Sequence, residues 1–463
     1  MSVASPQVRR FPVDRVARAA GWAGIAVLLG CALALGLASS PPPLGLTLAG
    51  GLALIALLGL ALARFEAIVA LGFVLFGVVF VEPAPPDLVF GVAIAVAVVT
   101  GRFSLRRVPP FVAGLLGLFL VLNVLSAVEA IDLGRAGKFF FITAYLAVFS
   151  IWLTSWIDRP ARARLVVRGL LVAAVVSAII GSLAPFLPFA AADAWHSGGR
   201  AKAFFEDPNV FGPFLVLPAV ILVEELLHPR LLQARRATKL LLFLVLAVGI
   251  LFAYSRAAWL NAAVGAVTMM AVFALRRGGG RKAAVLLVTI VVSLIVLAGT
   301  IAVSGSGDFL NERARVHQVY DTERFAAQET GVALVATHPF GIGPGQFERV
   351  VGYAAHSTYI RALAEQGLLG VFAVVALLLG TLLLATRNAV VGRDTFGVGS
   401  AALLAAWCGI LANSVFVDTL HWRHLWLLAA LIWIGAMLPA PRRVSYALSS
   451  GERSSSVRAE PPA

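Results

Sequence analysis

Apolar residues run along this chain in blocks of roughly 15–22, parted by short breaks that carry charge, proline or glycine. That is the length an α-helix needs to cross about 30 Å of hydrocarbon. The pattern predicts helices over 19–38, 44–63, 66–81, 87–101, 109–127, 138–156, 165–184, 209–227, 239–254, 257–275, 282–303, 357–385, 397–416 and 424–438. The expected class is all-α: a polytopic integral membrane protein with about fourteen transmembrane helices, or 12–14 if the shortest breaks fail to separate two spans.

Most gaps between the blocks are short, such as 39–43 and 82–87, but about 52 residues separate the eleventh helix from the twelfth. Within this 304–355 segment, 321–337 carries Phe325, Val332, Leu334 and Val335 broadly on one side of a helix. It then breaks at His338-Pro339 and enters the glycine-rich stretch Phe340-Gly341-Ile342-Gly343-Pro344-Gly345. The reading is an amphipathic helix on or in the membrane face, followed by a tight loop. It serves either as a plain interfacial lid or as a substrate contact.

Composition rules out a water-soluble core: 60% of residues are hydrophobic, 13% are charged, and the mean hydropathy is +0.93. Charge sets the expected orientation. With the N-terminus inside, 26 of the 37 basic residues and 8 of the 23 acidic ones fall in inside loops. This predicts a bacterial inner (cytoplasmic) membrane protein with both termini cytoplasmic and the large loop periplasmic. Its parts are a cytoplasmic N-terminus over 1–18, helices one to eleven over 19–303, the loop over 304–355, helices twelve to fourteen over 356–438, and a disordered tail over 439–463.

The net charge of +14 is then a topology signal, with basic loops facing anionic membrane lipids, and no nucleic-acid partner is implied. The first apolar segment belongs to a multi-span pattern, so no cleavage is expected. Cys31 and Cys408 both lie in expected spans, which leaves neither a disulfide framework nor a thiolate metal site.

Three constellations on the outer side carry candidate chemistry. The first is Gly198-Gly199-Arg200-Ala201-Lys202, leading to Phe205-Glu206-Asp207-Pro208-Asn209: two cations on a pliable turn before a helix. The second is Tyr254-Ser255-Arg256, an arginine between two spans that is costly at that depth unless an anion meets it. The third is His356-Ser357, opening a helix in which Gly367 and Gly370 would allow close helix packing. Taken singly, Arg200 and Lys202 could snorkel to lipid phosphates, Arg256 could neutralise Asp207 or Asp418, and His356 could simply start a helix. Together they supply fixed cations for a leaving diphosphate and a base for an incoming hydroxyl.

The spacing Arg256-x3-Leu260, then His356-Ser357-x9-Gly367-x2-Gly370, resembles the paired signature of the bacterial O-antigen ligase superfamily. That superfamily also takes in Wzy-type polysaccharide polymerases and bacterial O-oligosaccharyltransferases. Arg200 with Phe205-x-Asp207-Pro208-Asn209, and His338-Pro339-Phe340-Gly341-x-Gly343-Pro344-Gly345, are similar to that group too, so the resemblance covers about 200–370. It implies a membrane-embedded, metal-independent, inverting glycosyltransferase without cofactor. The enzyme would move a glycan from an undecaprenyl diphosphate-linked donor to an acceptor hydroxyl on the periplasmic face: lipid A core for a ligase, the reading placed first on the intact histidine and arginine signatures, or a second lipid-linked glycan for a Wzy-type polymerase, the alternative.

By the same resemblance Arg200 and Arg256 would bind the donor diphosphate and His356 would be the base. Lys202, Arg324, His338 and Arg361 stand second, with Arg361 expected to pair internally with Glu365. The ionisable stretch 416–424 could finish an acceptor site, but reads rather as an anchor for the last helix. A homo-oligomer and polysaccharide-assembly proteins stay open as partners. A lipid-linked oligosaccharide flippase is the alternative from another class, although the long loop and the lack of two similar halves speak against it.

Overall fold

In lipid an unpaired backbone N–H or C=O is too costly to leave, so each apolar block bonds to itself as a helix. The computed structural model describes residues 44–188, 190–276, 279–315 and 319–439. The apolar blocks form α1 (Leu44–Ala63), α2 (Phe65–Val74), α3 (Pro85–Val99), α4 (Pro110–Ser126), α5 (Leu133–Trp156) and α6 (Pro160–Leu183). After a two-residue antiparallel pair, β1 (His196–Ser197) and β2 (Arg200–Ala201), come α7 (Pro208–Leu227), α8 (Arg236–Phe252), α9 (Arg256–Leu275) and α10 (Gly280–Ser304). The 304–355 segment holds α11 (Gly307–Ala314), α12 (Val319–Ala333) and α13 (Phe347–Val351), and the chain continues with α14 (Thr358–Val391), α15 (Ser400–Asn413) and α16 (Arg423–Met437).

Every helix expected within the described residues is present, with ends shifted by a few residues. The expected first helix with Cys31, the N-terminus 1–18 and the tail from 440 lie outside them. Among the described residues, seven helices (α4, α5, α6, α7, α9, α10 and α14) are long and apolar enough to cross a membrane, and α2, α3, α15, α16 and Gly50–Ala63 of α1 are shorter apolar helices. The all-α membrane class holds on that basis, while fourteen crossings remain an expectation of the hydrophobic pattern. In α7 83% of the apolar window is buried inside the protein and in α10 only 17%, so α7 is central and α10 lies at the rim.

Successive helices reverse direction, which gives the bundle two ends. At one end the Val79 amide donates to the Phe204 carbonyl, Arg423 pairs with Asp87, and Arg135 bonds Glu348 of α13. This loop end carries the 304–355 segment. At the opposite, basic end Arg159 and Arg162 pair with Glu66, and Arg230 pairs with Asp394 at 2.6 Å. There Lys239, 1% exposed, bonds Glu225 at 2.9 Å, and Glu225 also accepts from the amides of Arg230, Leu231 and Leu232. A buried pair survives only when its remaining lone pairs are so satisfied, and the result fixes the turn between α7 and α8.

Candidate functional site

Three helices begin close together at the loop end. Asp207 caps α7 by accepting from the Asn209 amide at 2.6 Å, Ser255 caps α9 through the Ala258 amide, and Ser357 caps α14 through the Ile360 amide. Asn209 joins the first two, because its side-chain oxygen accepts from both Ser255 Oγ and Arg200 at 2.8 Å. A second Arg200 nitrogen donates to the Ala253 carbonyl at 3.1 Å, so this arginine is held by protein rather than snorkelling into lipid. The hairpin that presents it turns through Gly198 and Gly199, at φ of 54° and 75°.

Backbone strain gathers at the same place. Among the described residues four non-glycines take a positive φ, and three of them are Ala203 (49°), Tyr254 (43°) and His356 (47°), each just before one of these helix starts. Such conformations cost about 1–3 kcal/mol each and tend to persist where a site over-determines them. His356 therefore does not open α14 as expected; it sits before the cap, with its ring 5.7 Å from that of Tyr353.

The 304–355 segment closes over this cluster. Phe309 of α11 stands edge-on to Tyr254 at 4.6 Å and lies beside Gly199. Arg256, the first residue of α9, donates through Nη2 to both carboxylate oxygens of Asp321 of α12, at 2.7 and 3.0 Å, and through Nη1 to the Arg315 carbonyl. Its carboxylate partner is Asp321, neither Asp207 nor Asp418. Arg324 lies one turn on, 3.9 Å from Asp321, and donates to the Phe416 carbonyl.

The apolar side expected for α12 is split. Phe325 and Val332 are exposed, whereas Leu334 packs against Phe347 and Ala364. The inward face holds Asp321, Ala327 and Gly331, with Gln328 donating to the Ala355 carbonyl. Polar contacts, rather than an apolar stripe, seat this helix on the bundle.

Below it the loop from His338 is clamped into a break in α14. Gly367 leaves helical geometry at φ 70° and ψ −168°, the amides of Ile342 and Gly343 donate to the carbonyls of Ala364 and Glu365, and the Leu368 amide donates to Pro339. A Cβ at Gly341 or Gly367 would collide with the facing backbone. The expected role of Gly367 in packing helices together is thus corrected: it opens α14 to admit a loop. The buried Glu365 carboxylate accepts from the amides of Gly345 and Phe347 and fixes the loop's far side.

Arg361 is drawn into this framework. It pairs with Glu348 and, at 3.1 Å, with Asp418, while the expected partner Glu365 is more distant at 3.9 Å. Asp418 also meets His421 at 3.1 Å, and Arg423 pairs with Asp87, so the 416–424 stretch ties α16 to α14 and α3. His338 bonds Thr337 on its own loop, and Lys202 stays on the hairpin, where its amide donates to the Trp195 carbonyl.

The cluster thus brings together Arg200, Arg256, Arg324 and His356, and leaves Arg361 in a neighbouring structural network. Burial, with the Arg324 charge second, pushes the His356 imidazole below its ordinary value, while Asp207 and Asp418 pull it back up. Around it lie cations and helix starts whose dipoles favour an anion. Such an arrangement can hold a phosphate and keep a neutral base beside it. Sequence reading missed Asp321, whose signal was an acid on the first turn of an outer amphipathic segment, and the tie between Asn209 and Ser255, for which there was no signal.

Residues 241–375 match the family model described as O-Antigen ligase, which supports the resemblance to the O-antigen ligase superfamily and a membrane enzyme of the ligase or polymerase kind. The matched segment contains Arg256, Asp321, Arg324, His356 and Arg361, whereas Arg200 and Asp207 precede it. No curated protein matches the chain.

Proposed function

We propose that this protein is a metal-independent, inverting glycosyltransferase that moves a glycan from an undecaprenyl diphosphate-linked donor to an acceptor hydroxyl at the loop end, which the positive-inside rule assigns to the periplasm. The observation that carries this is the meeting of arginines and three helix starts around one neutral-leaning histidine. A phosphate about 4 Å from an arginine gains roughly 4 kcal/mol per pair at an effective dielectric of 20, before desolvation.

In the step, the acceptor oxygen attacks the anomeric carbon, the bond from that carbon to the diphosphate oxygen breaks, and the electron pair leaves with the diphosphate. His356 takes the hydroxyl proton. Arg200 and Arg256 hold the departing charge, and Asp207 and Asp418 stabilise the imidazolium that forms. Asp321 is the anion that meets Arg256, both of its oxygens accepting from Nη2, so its carboxylate stands in the seat the donor phosphate takes. The donor displaces it, and α12 moves with it.

The test is glycan transfer by purified protein in EDTA, from lipid-linked glycan to lipid A core or to a second lipid-linked glycan. Transfer to one acceptor that both His356→Ala and Arg256→Ala abolish supports the reading and chooses ligase or polymerase. Unimpaired transfer by well-folded variants removes the site. No transfer by the wild-type protein to either acceptor moves the weight to a flippase.

A further inference from the structure

At the basic end a cavity of about 600 Å³ opens between α1–α2, the turn after α3 and the start of α6, lined by Arg64, Phe65, Glu66, Ala67, Arg102 and Arg162. It lies at the far end of the helices from His356, because α2 starts here and the chain beyond it reaches Phe204 of the loop end. We propose that this cavity binds the phosphate headgroup of an anionic phospholipid, and that it is a defined lipid site separate from the donor site.

Charge decides the sign of the ligand. Three arginines face one carboxylate, and Glu66 is already engaged by Arg159 and Arg162, so the cavity keeps an excess of positive charge. Two of the three cations are also held in place beforehand. Arg102 follows Gly101, whose φ of 69° ends α3; its amide donates to the Ala97 carbonyl, and its guanidinium lies 5.6 Å from the Phe65 ring centre. Stacking uses the face of a guanidinium and leaves its N–H edge for an acceptor. Arg162 is braced by Asp158 at 3.0 Å, by the Trp156 carbonyl at 2.9 Å and by the Trp156 ring. Arg64 stands exposed at the N-cap position of α2, whose first-turn amides add positive potential.

The surroundings favour a phosphate that carries acyl chains over a free one. Leu62 is 70% exposed two residues before Arg64, and Leu105 is 58% exposed three residues after Arg102. Apolar surface beside an anion seat suits acyl chains and would be wasted on an ion in water. A zwitterionic headgroup would bring its own ammonium against the arginines, so the cavity discriminates in favour of a net anionic lipid.

The experiment uses the full chain in nanodiscs of phosphatidylethanolamine doped with phosphatidylglycerol, with retained lipid read by native mass spectrometry. Wild type is expected to retain phosphatidylglycerol selectively. Arg64→Gln with Arg102→Gln is expected to weaken retention roughly tenfold to thirtyfold. Glu66→Gln is expected to strengthen it, because Arg159 and Arg162 are released; this second variant keeps the test decisive should the double variant fail to fold. Equal retention by all three proteins, or no preference between the two lipids, would overturn the proposal. Displacement of the lipid by millimolar inorganic phosphate would equally overturn it, by making the seat one for a free ion.

Discussion

Arg256 and Arg361 sit near the starts of two helices at the loop end, and both face carboxylates, yet their settings differ. Arg361 is 8% exposed and shared among Glu348, Asp418 and Glu365, and Glu365 in turn secures the loop that enters α14. Arg256 pairs with Asp321, its side chain is 30% exposed, and that carboxylate belongs to a helix of the 304–355 segment rather than to the bundle. An arginine surrounded by fixed acids is a structural rivet. One held by a carboxylate of the 304–355 segment is, under the proposed function, a binding group with an exchangeable partner.

Four substitutions sharpen or break that contrast. The largest effect is expected from Arg361→Ala, which strands the buried carboxylates and should lower stability by roughly 3–5 kcal/mol; thermal unfolding in detergent measures it, and an unchanged midpoint would erase the distinction. Next, Arg256→Gln should lower the rate of glycan transfer about 10²–10³-fold with the unfolding midpoint nearly unmoved. A smaller change, and one of opposite sign, is expected for Asp321→Asn: a KM for the lipid-linked donor reduced several-fold, because the competing charge is gone. If instead KM rises, Asp321 positions Arg256 and does not compete with the donor.

The smallest effect concerns pH. Since the folded protein holds His356 below its ordinary value of 6.5, the acidic limb of transfer should lie below that value, where more of the base is still neutral. By the same sign, the stability contributed by neutral His356 is present above 6.5 and lost as the pH falls through the lowered value. Arg324→Gln removes one cause of the lowering and should shift the limb upward by a fraction of a unit. A downward shift in the pH–rate profile would contradict the placement of Arg324 beside His356.

The helices were legible because lipid leaves few choices: apolar blocks of crossing length become helices, and their ends fall at Arg64, Ser255 and Ser357, where charge and capping residues interrupt them. Arg200, Arg256 and His356 were legible as motif residues, and the matched family segment includes the last two. Their partners were not. Nothing local links Asn209 to Ser255, or Arg256 to Asp321 some 65 positions away, and the periodicity of α12 suggested an apolar underside where the fold buries Asp321.

The sequence by itself determined the class of protein, the helical segments and the chemical types available at the loop end, since these follow from hydropathy and from the properties of single side chains. Only the tertiary structure decided which arginine is locked among buried acids and which meets a carboxylate of the 304–355 segment, and why Gly367 must be a glycine. Those outcomes depend on which helix ends meet, and a contact between distant segments leaves no period in the chain.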